Sequence, residues 1–172
     1  MRCIVLGCIL IALLLIACVG IAQNANSGET VTCNFDAGRQ LVAEYQNIKF
    51  NPKKPPLGRE IPLGRVWAPG GKPMTLMTNT PVEIGGRSLA AGGYTMFVIP
   101  TAKQWTLIVS KSTDTSGKYD ESMDVVRVPM ESGELPAAEA QFHVTFAHDA
   151  PGQCSLRLDV ATLGNWAAFK EK

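Results

Sequence analysis

From residue 30 onward, apolar and polar positions alternate with a period of two, the signature of strands buried on one face. Gln141–Ala147 is the clearest run: Phe142, Val144 and Phe146 fall on one face, His143 and Thr145 on the other. Ser155–Ala161 repeats the pattern, with Leu156, Leu158 and Val160 inward and Arg157 and Asp159 outward. Asp149-Ala150-Pro151-Gly152 between them has the chemistry of a hairpin turn. Strands are also predicted over Thr30–Phe35, Gln40–Phe50, Met74–Asn79, Gly93–Pro100, Gln104–Ser110 and Met123–Met130. Gly85-Gly86 marks a tight turn between Val82–Ile84 and Arg87–Leu89, so the stretch from Met74 to Ser110 reads as consecutive antiparallel hairpins. Asn51–Pro73 is rich in Pro and Gly and cannot hold a regular ladder, because Pro lacks the N–H and fixes φ. It reads as a long loop with at most a short strand at Gly64–Trp67. Ser112–Glu121 is turn-like, and Glu131–Glu139 reads as an acidic loop or one turn of helix at Ala137–Ala140. No amphipathic helix of three turns and no internal repeat is present. The expectation is an all-β fold: a single antiparallel β-sandwich, jelly-roll-like, of about nine strands.

The first 22 residues break this pattern. From Cys3 to Ala22 only Gly7 and Gly20 are not apolar, and Arg2 is the single charge. Small residues at Gly20 and Ala22 complete a secretory signal, with Gln23 as the new N-terminus. Two rivals stay open. Leu15-Ile16-Ala17-Cys18 is similar to a bacterial lipobox, which would make Cys18 a lipidated first residue, although Val-Gly-Ile-Ala follows where a polar tether is usual. An uncleaved anchor is the other, since ~20 apolar residues just span a bilayer. Every variant puts the domain outside the cytoplasm, periplasmic or secreted, touching a membrane only through a lipidated or uncleaved leader. Residues 23–29 are small and polar, a linker, and residues 30–172 form the domain.

The leader changes the composition. Of 172 residues it removes a disproportionate share of the apolar ones, and the remainder carries 15 basic against 15 acidic residues. A neutral chain is a poor match for nucleic acid, which needs clustered Lys and Arg. Cys33 and Cys154 are the two cysteines left outside the leader. In an oxidising compartment they are expected to pair as a structural disulfide joining an early strand to a late one, with two unpaired buried thiols as the alternative. Their spacing has none of the closeness of a redox or metal pair.

The central segment carries a resemblance. Gly64-Arg65-Val66-Trp67, Thr75-Leu76, Val82-Glu83-Ile84-Gly85-Gly86, Leu89-Ala90-Ala91-Gly92-Gly93-Tyr94, Ile99-Pro100 and Trp105-Thr106 run in order. Gly117-Lys118-Tyr119 and Asp124-Val125-Val126-Arg127-Val128 follow. Together, from about Tyr45 to Leu158, they resemble the bacterial family catalogued as domain of unknown function 2911 (DUF2911). The resemblance implies an exported, β-rich domain and no established activity. Two departures stand out. Where the family continues Trp-Arg-x-Gly-Ala-Asn-Glu, this chain has Trp67-Ala68-Pro69-Gly70-Gly71-Lys72-Pro73, without the Arg, Asn and Glu best able to hold a ligand. Ser116 stands where the family has Trp before Gly117.

Candidate chemistry is thin. No Gly-rich loop precedes a helix and no G-x-S-x-G elbow exists. His143 and His148 lie five positions apart, so they face opposite ways if the strand continues, and neither supports the other as a metal ligand. His148-Asp149 can form an oriented base. Asp114, Asp120, Glu121 and Asp124 cluster, but without the alternation of a calcium loop; paired carboxylates would need to lie ~5–9 Å apart for glycosidase work. Trp105 shares parity with Leu107 and Val109 and is expected in the core. The best contact surface is the long loop with Trp67, Arg59, Arg65 and Lys72, because an exposed Trp stacks on a sugar face. The leading expectation is therefore a non-catalytic exported binding or structural module of the cell envelope, with a glycan or protein partner and no cofactor. The rival is a small hydrolase or metal-dependent enzyme using His143 or His148 with Asp149, or the Asp120–Asp124 carboxylates.

Overall fold

The computed structural model describes residues 28–51 and 53–172. The signal sequence, the start at Gln23 and the lipidation at Cys18 lie outside the described residues. Ten strands form two antiparallel sheets. They are β1 (Gly28–Asn34), β2 (Gln40–Gln46), β3 (Met74–Thr78), β4 (Val82–Ile84), β5 (Arg87–Leu89), β6 (Gly92–Ile99), β7 (Thr106–Ser110), β8 (Asp124–Pro129), β9 (Glu131–Ala150) and β10 (Gln153–Glu171). One sheet runs β1-β2-β3-β6-β7-β8 and the other β5-β4-β10-β9. The chain is an all-β antiparallel sandwich, as the alternation predicts. Leu41, Ala43, Tyr45, Leu76, Met96, Val98, Leu107 and Val109 from the first sheet meet Ile84, Phe142, Val144, Leu156, Leu158 and Phe169 from the second in one buried cluster. Trp105 is fully buried among them.

Four details differ from the sequence reading. The first strand already begins at Gly28, inside the expected linker. Met74–Ser110 is not a string of hairpins: β3 pairs with β6, while β4 and β5 cross to the other sheet. The crossing is made at Thr78–Pro81, where the Thr78 hydroxyl donates to the Thr80 carbonyl (2.6 Å) and the Thr80 N–H returns to it. Such a corner has the composition of an ordinary turn. Gly64–Trp67 makes a single bridge, Trp67 to Val98, rather than a strand. Glu131–Glu139 is neither loop nor helix but the first half of β9, its polar side chains exposed because β9 is an edge strand. Pro136 is tolerated there, since an edge strand has a side that needs no donor.

The outer face of the first sheet is also covered. Phe97 and Ile108 point away from the main core yet are buried. The excursion after β7 folds over them, with the Tyr119 ring edge-on to Phe97 at 5.1 Å. The Tyr119 hydroxyl donates to Asp124 (2.6 Å), and Arg127 donates to both, which buckles the strap to β8. Gly117 sits at φ 93°, and a Cβ there would come 2.4 Å from the Gly71 carbonyl oxygen. Only glycine lets the strap pass so close to the Pro69–Gly71 turn. Gly85 is similarly held, at φ 56° against Val128.

Cys33 on β1 and Cys154 on β10 form a disulfide between the sheets, with Cα atoms 6.5 Å apart and 121 residues between them. Cross-linking so long a loop contributes up to about 4–5 kcal/mol by restricting the unfolded chain. Urea unfolding of the Cys33→Ala/Cys154→Ala variant should show a loss of that order; an unchanged midpoint would mean that packing alone holds the sheets together.

Candidate functional site

Of the loop residues expected to form a contact surface, Trp67 is turned into the fold and the three basic residues are exposed. The Trp67 backbone is pinned to Val98 by hydrogen bonds in both directions (2.8 and 3.1 Å). Its half-buried ring lies edge-on to Trp105 (6.2 Å) and Phe142 (5.6 Å), so it plugs the side of the core. Arg59, Arg65 and Lys72 are exposed. Among the described residues none of the three has an ion-pair partner. Lys72 borders a concavity with Glu44, Gln46 and Thr75. Arg59 belongs to the tight turn closed by its N–H on the Pro56 carbonyl (3.1 Å).

Of the acid–base candidates, His148 and Asp149 line one concavity, and His143 lies further along the ladder. His143 is paired with Asp159 across the β9–β10 ladder, and His148 with Cys154. Asp149 accepts from the Ser155 hydroxyl (2.5 Å) and from Gln153 (3.4 Å). The contact His148 makes is instead to sulfur, its Nδ1 3.5 Å from Cys154 Sγ. A serine relay needs His between Ser and carboxylate; here serine bonds the carboxylate directly. Cys33, Cys154 and His148 form the one grouping of metal-type donors among the described residues, and the disulfide consumes two of them.

The acidic cluster is occupied locally. Asp120 accepts from the Ser122 hydroxyl and N–H, which hold its carboxyl below the ordinary range. Asp114 is lowered by the Ser116 N–H. Arg127 pairs with Asp124 (2.8 Å) and Glu121 (2.9 Å). On β1, hydrogen bonds from Tyr45 and Asn47 lower Glu29. Asp159 moves the other way, raised by burial.

A different concavity, which no local motif announces, has the most apolar lining of those among the described residues. It is a groove of about 430 Å³ between the start of the long loop (residues 50–51 and 53–57) and the middle of β9 and β10. Phe50, Pro55, Pro56, Leu57, Ala138, Ala140, Val160, Ala161 and Leu163 make it mainly apolar. On its loop wall Pro55 and Pro56 restrict the backbone, and the Pro56 carbonyl accepts from the N–H groups of Arg59, Glu60 and Ile61. Phe50 N–H bonds to the Ala140 carbonyl (2.9 Å), attaching that wall to β9. An Asn51 turn then sets Lys53 and Lys54 at the rim.

The floor is irregular. Register shifts flank Ala161, and between the Ala161–Glu139 and Leu163–Glu134 pairs β9 carries four residues against one on β10. This bulge opens the sheet and turns Ala161 to φ 50°, a left-handed conformation that strains a residue with a Cβ. Bulges and strained residues of this kind concentrate at binding sites. The signal in the sequence was faint: Lys53-Lys54-Pro55-Pro56 is a charged, stiff tetrad, but its apolar partners lie more than 80 positions away.

Two measurements check these environments. Ala161→Gly should raise stability by about 1 kcal/mol, because glycine adopts positive φ without strain; thermal unfolding reads it, and a lower melting point would contradict the strain. Alkaline absorbance titration should find Tyr45 and Tyr119 ionising near 12, both raised first by burial and then by the carboxylates they bond. Native burial favours the neutral phenol. The stability this contributes is complete below the ordinary phenol value of ~10 and disappears as pH rises through about 12. Ionisation of both at the ordinary value would refute the buried contacts.

No curated protein and no solved structure matches the chain. The family model described as "Protein of unknown function (DUF2911)" matches residues 25–163. The matched span contains the strap and its buckle (Gly117, Tyr119, Asp124, Arg127), the glycine against Val128, and Trp67 in the side of the core. With four-fifths of its length matched, including both sheets, the chain belongs to the DUF2911 family.

Proposed function

We propose that this protein is a non-catalytic exported binding module that receives an apolar group in the groove between residues 50–57 and the β9–β10 bulge. The groove carries the reading. Its volume falls within the range of small-molecule sites, its lining is mostly apolar, and its walls are held by backbone hydrogen bonds and prolines. His148 and Asp149 share one concavity but make separate contacts, His148 to Cys154 and Asp149 to Ser155; a nucleophile relay needs the imidazole in contact with both partners, which supports binding over catalysis. Export is supported by the leader and by the disulfide, which persists in an oxidising compartment. Trp67, Arg59, Arg65 and Lys72 would then supply loop architecture and flanking charge, with Arg59 closest along the chain to the groove.

A neutral apolar dye tests the site without prejudging any charge. Nile red should brighten on binding at one saturable site, and Ala138→Trp, which places an indole in the groove from an exposed position, should reduce that signal at least tenfold. Equal binding by the variant, with an unchanged circular dichroism spectrum, would locate the receptor elsewhere.

A further inference from the structure

Resting on that groove, we infer that the natural ligand is a single-chain amphiphile with one anionic head, its tail against Pro55, Leu57 and Leu163 and its head at Lys53 and Lys54. The argument begins with the distribution of polarity. An alkyl chain gains at every methylene it removes from water on entering an apolar groove. A sugar would require convergent hydrogen-bonding groups along the walls, and aliphatic side chains and prolines predominate there.

Charge supplies the second half. Lys53 and Lys54 stand together at the rim, exposed, and among the described residues neither forms an ion pair. Two adjacent ammonium groups attract one carboxylate or phosphate monoester, and long lysine stems can lie along apolar surface while their heads follow the ligand. Glu139 on the β9 wall opposes a second anionic group inside the groove. The floor also suits a tail: the four-against-one bulge at Ala161 interrupts the sheet and leaves a depression where a flat ladder would present none.

Isothermal titration of the purified protein with laurate, dodecyl phosphate and dodecyl maltoside, each below its micellar concentration, tests the assignment; acetate and inorganic phosphate serve as heads without tails. Laurate or dodecyl phosphate should bind one to one and at least tenfold more tightly than the maltoside, and the isolated anions should not bind. The tighter of the two anionic amphiphiles distinguishes a free fatty acid from a phosphate-headed lipid fragment. Lys53→Glu/Lys54→Glu should weaken the anionic amphiphiles at least tenfold while leaving Nile red and the maltoside unchanged. Equal affinity for laurate and maltoside, or indifference to the double substitution, would overturn the ligand class while Nile red still reports the groove. Loss of the Nile red signal from the unsubstituted protein would instead remove the groove itself. Binding of acetate or phosphate alone would reduce the site to a surface anion contact and refute the tail.

Discussion

The rest of the molecule is organised by the seam along one side of the sandwich, where the two sheets are joined by bonds rather than by packing alone. Cys33 and Cys154 connect them covalently. A few residues further on, Phe142 N–H bonds to the Ile48 carbonyl and Phe50 N–H to the Ala140 carbonyl, so the chain leaving β2 becomes a partial neighbour of β9. Two sheets with independent twists separate at their corners unless something spans the gap. Here the span fixes where β9 starts to be useful to the core, at Phe142, and where it is released to bulge, before Glu139. The groove is the residue of that release, and its wall is the same chain segment that makes the bond.

The buckle of Tyr119, Asp124 and Arg127 illustrates why recognisable residues need not be functional ones. Gly117 must pass within contact of Gly71, Tyr119 must cover Phe97, and Arg127 must neutralise two carboxylates. These are demands of covering a second apolar face on a small sheet. The positions that line the groove, by contrast, are alanines, prolines and single aliphatic residues that only an assembled surface makes meaningful.

That difference also explains what could be read from the chain. Alternation in Gln141–Ala147 and Ser155–Ala161 encodes which face is buried, because a one-residue slip would expose every apolar side chain. The two cysteines outside the leader encoded their own pairing once the compartment was inferred. The passage of β4 and β5 to the opposite sheet was not legible, because Thr78–Pro81 has the composition of a hairpin turn and the difference lies in long-range pairing of β3 with β6. The first half of β9 was hidden for a related reason: an edge strand with both faces wet has no alternation to show. Trp67 was legible as an aromatic in a loop, but its half-buried position against Trp105 and Phe142 depends on neighbours 38 and 75 positions away. The groove joins segments near residues 50, 140 and 160, and no window on the sequence contains all three.

The same polar half of β9 has a consequence for coexistence with other copies. A long, straight, uncharged strand at the rim of a sheet is a template on which another chain can extend the ladder. Between Glu131 and Glu139 this rim carries three glutamates, a proline and a multi-residue bulge. A second molecule approaching here meets like charge, a missing donor and a broken hydrogen-bond rhythm. The irregularity that hollows the surface therefore also works against strand addition at this rim, so a cleft and a protected edge arise from one deformation of the backbone.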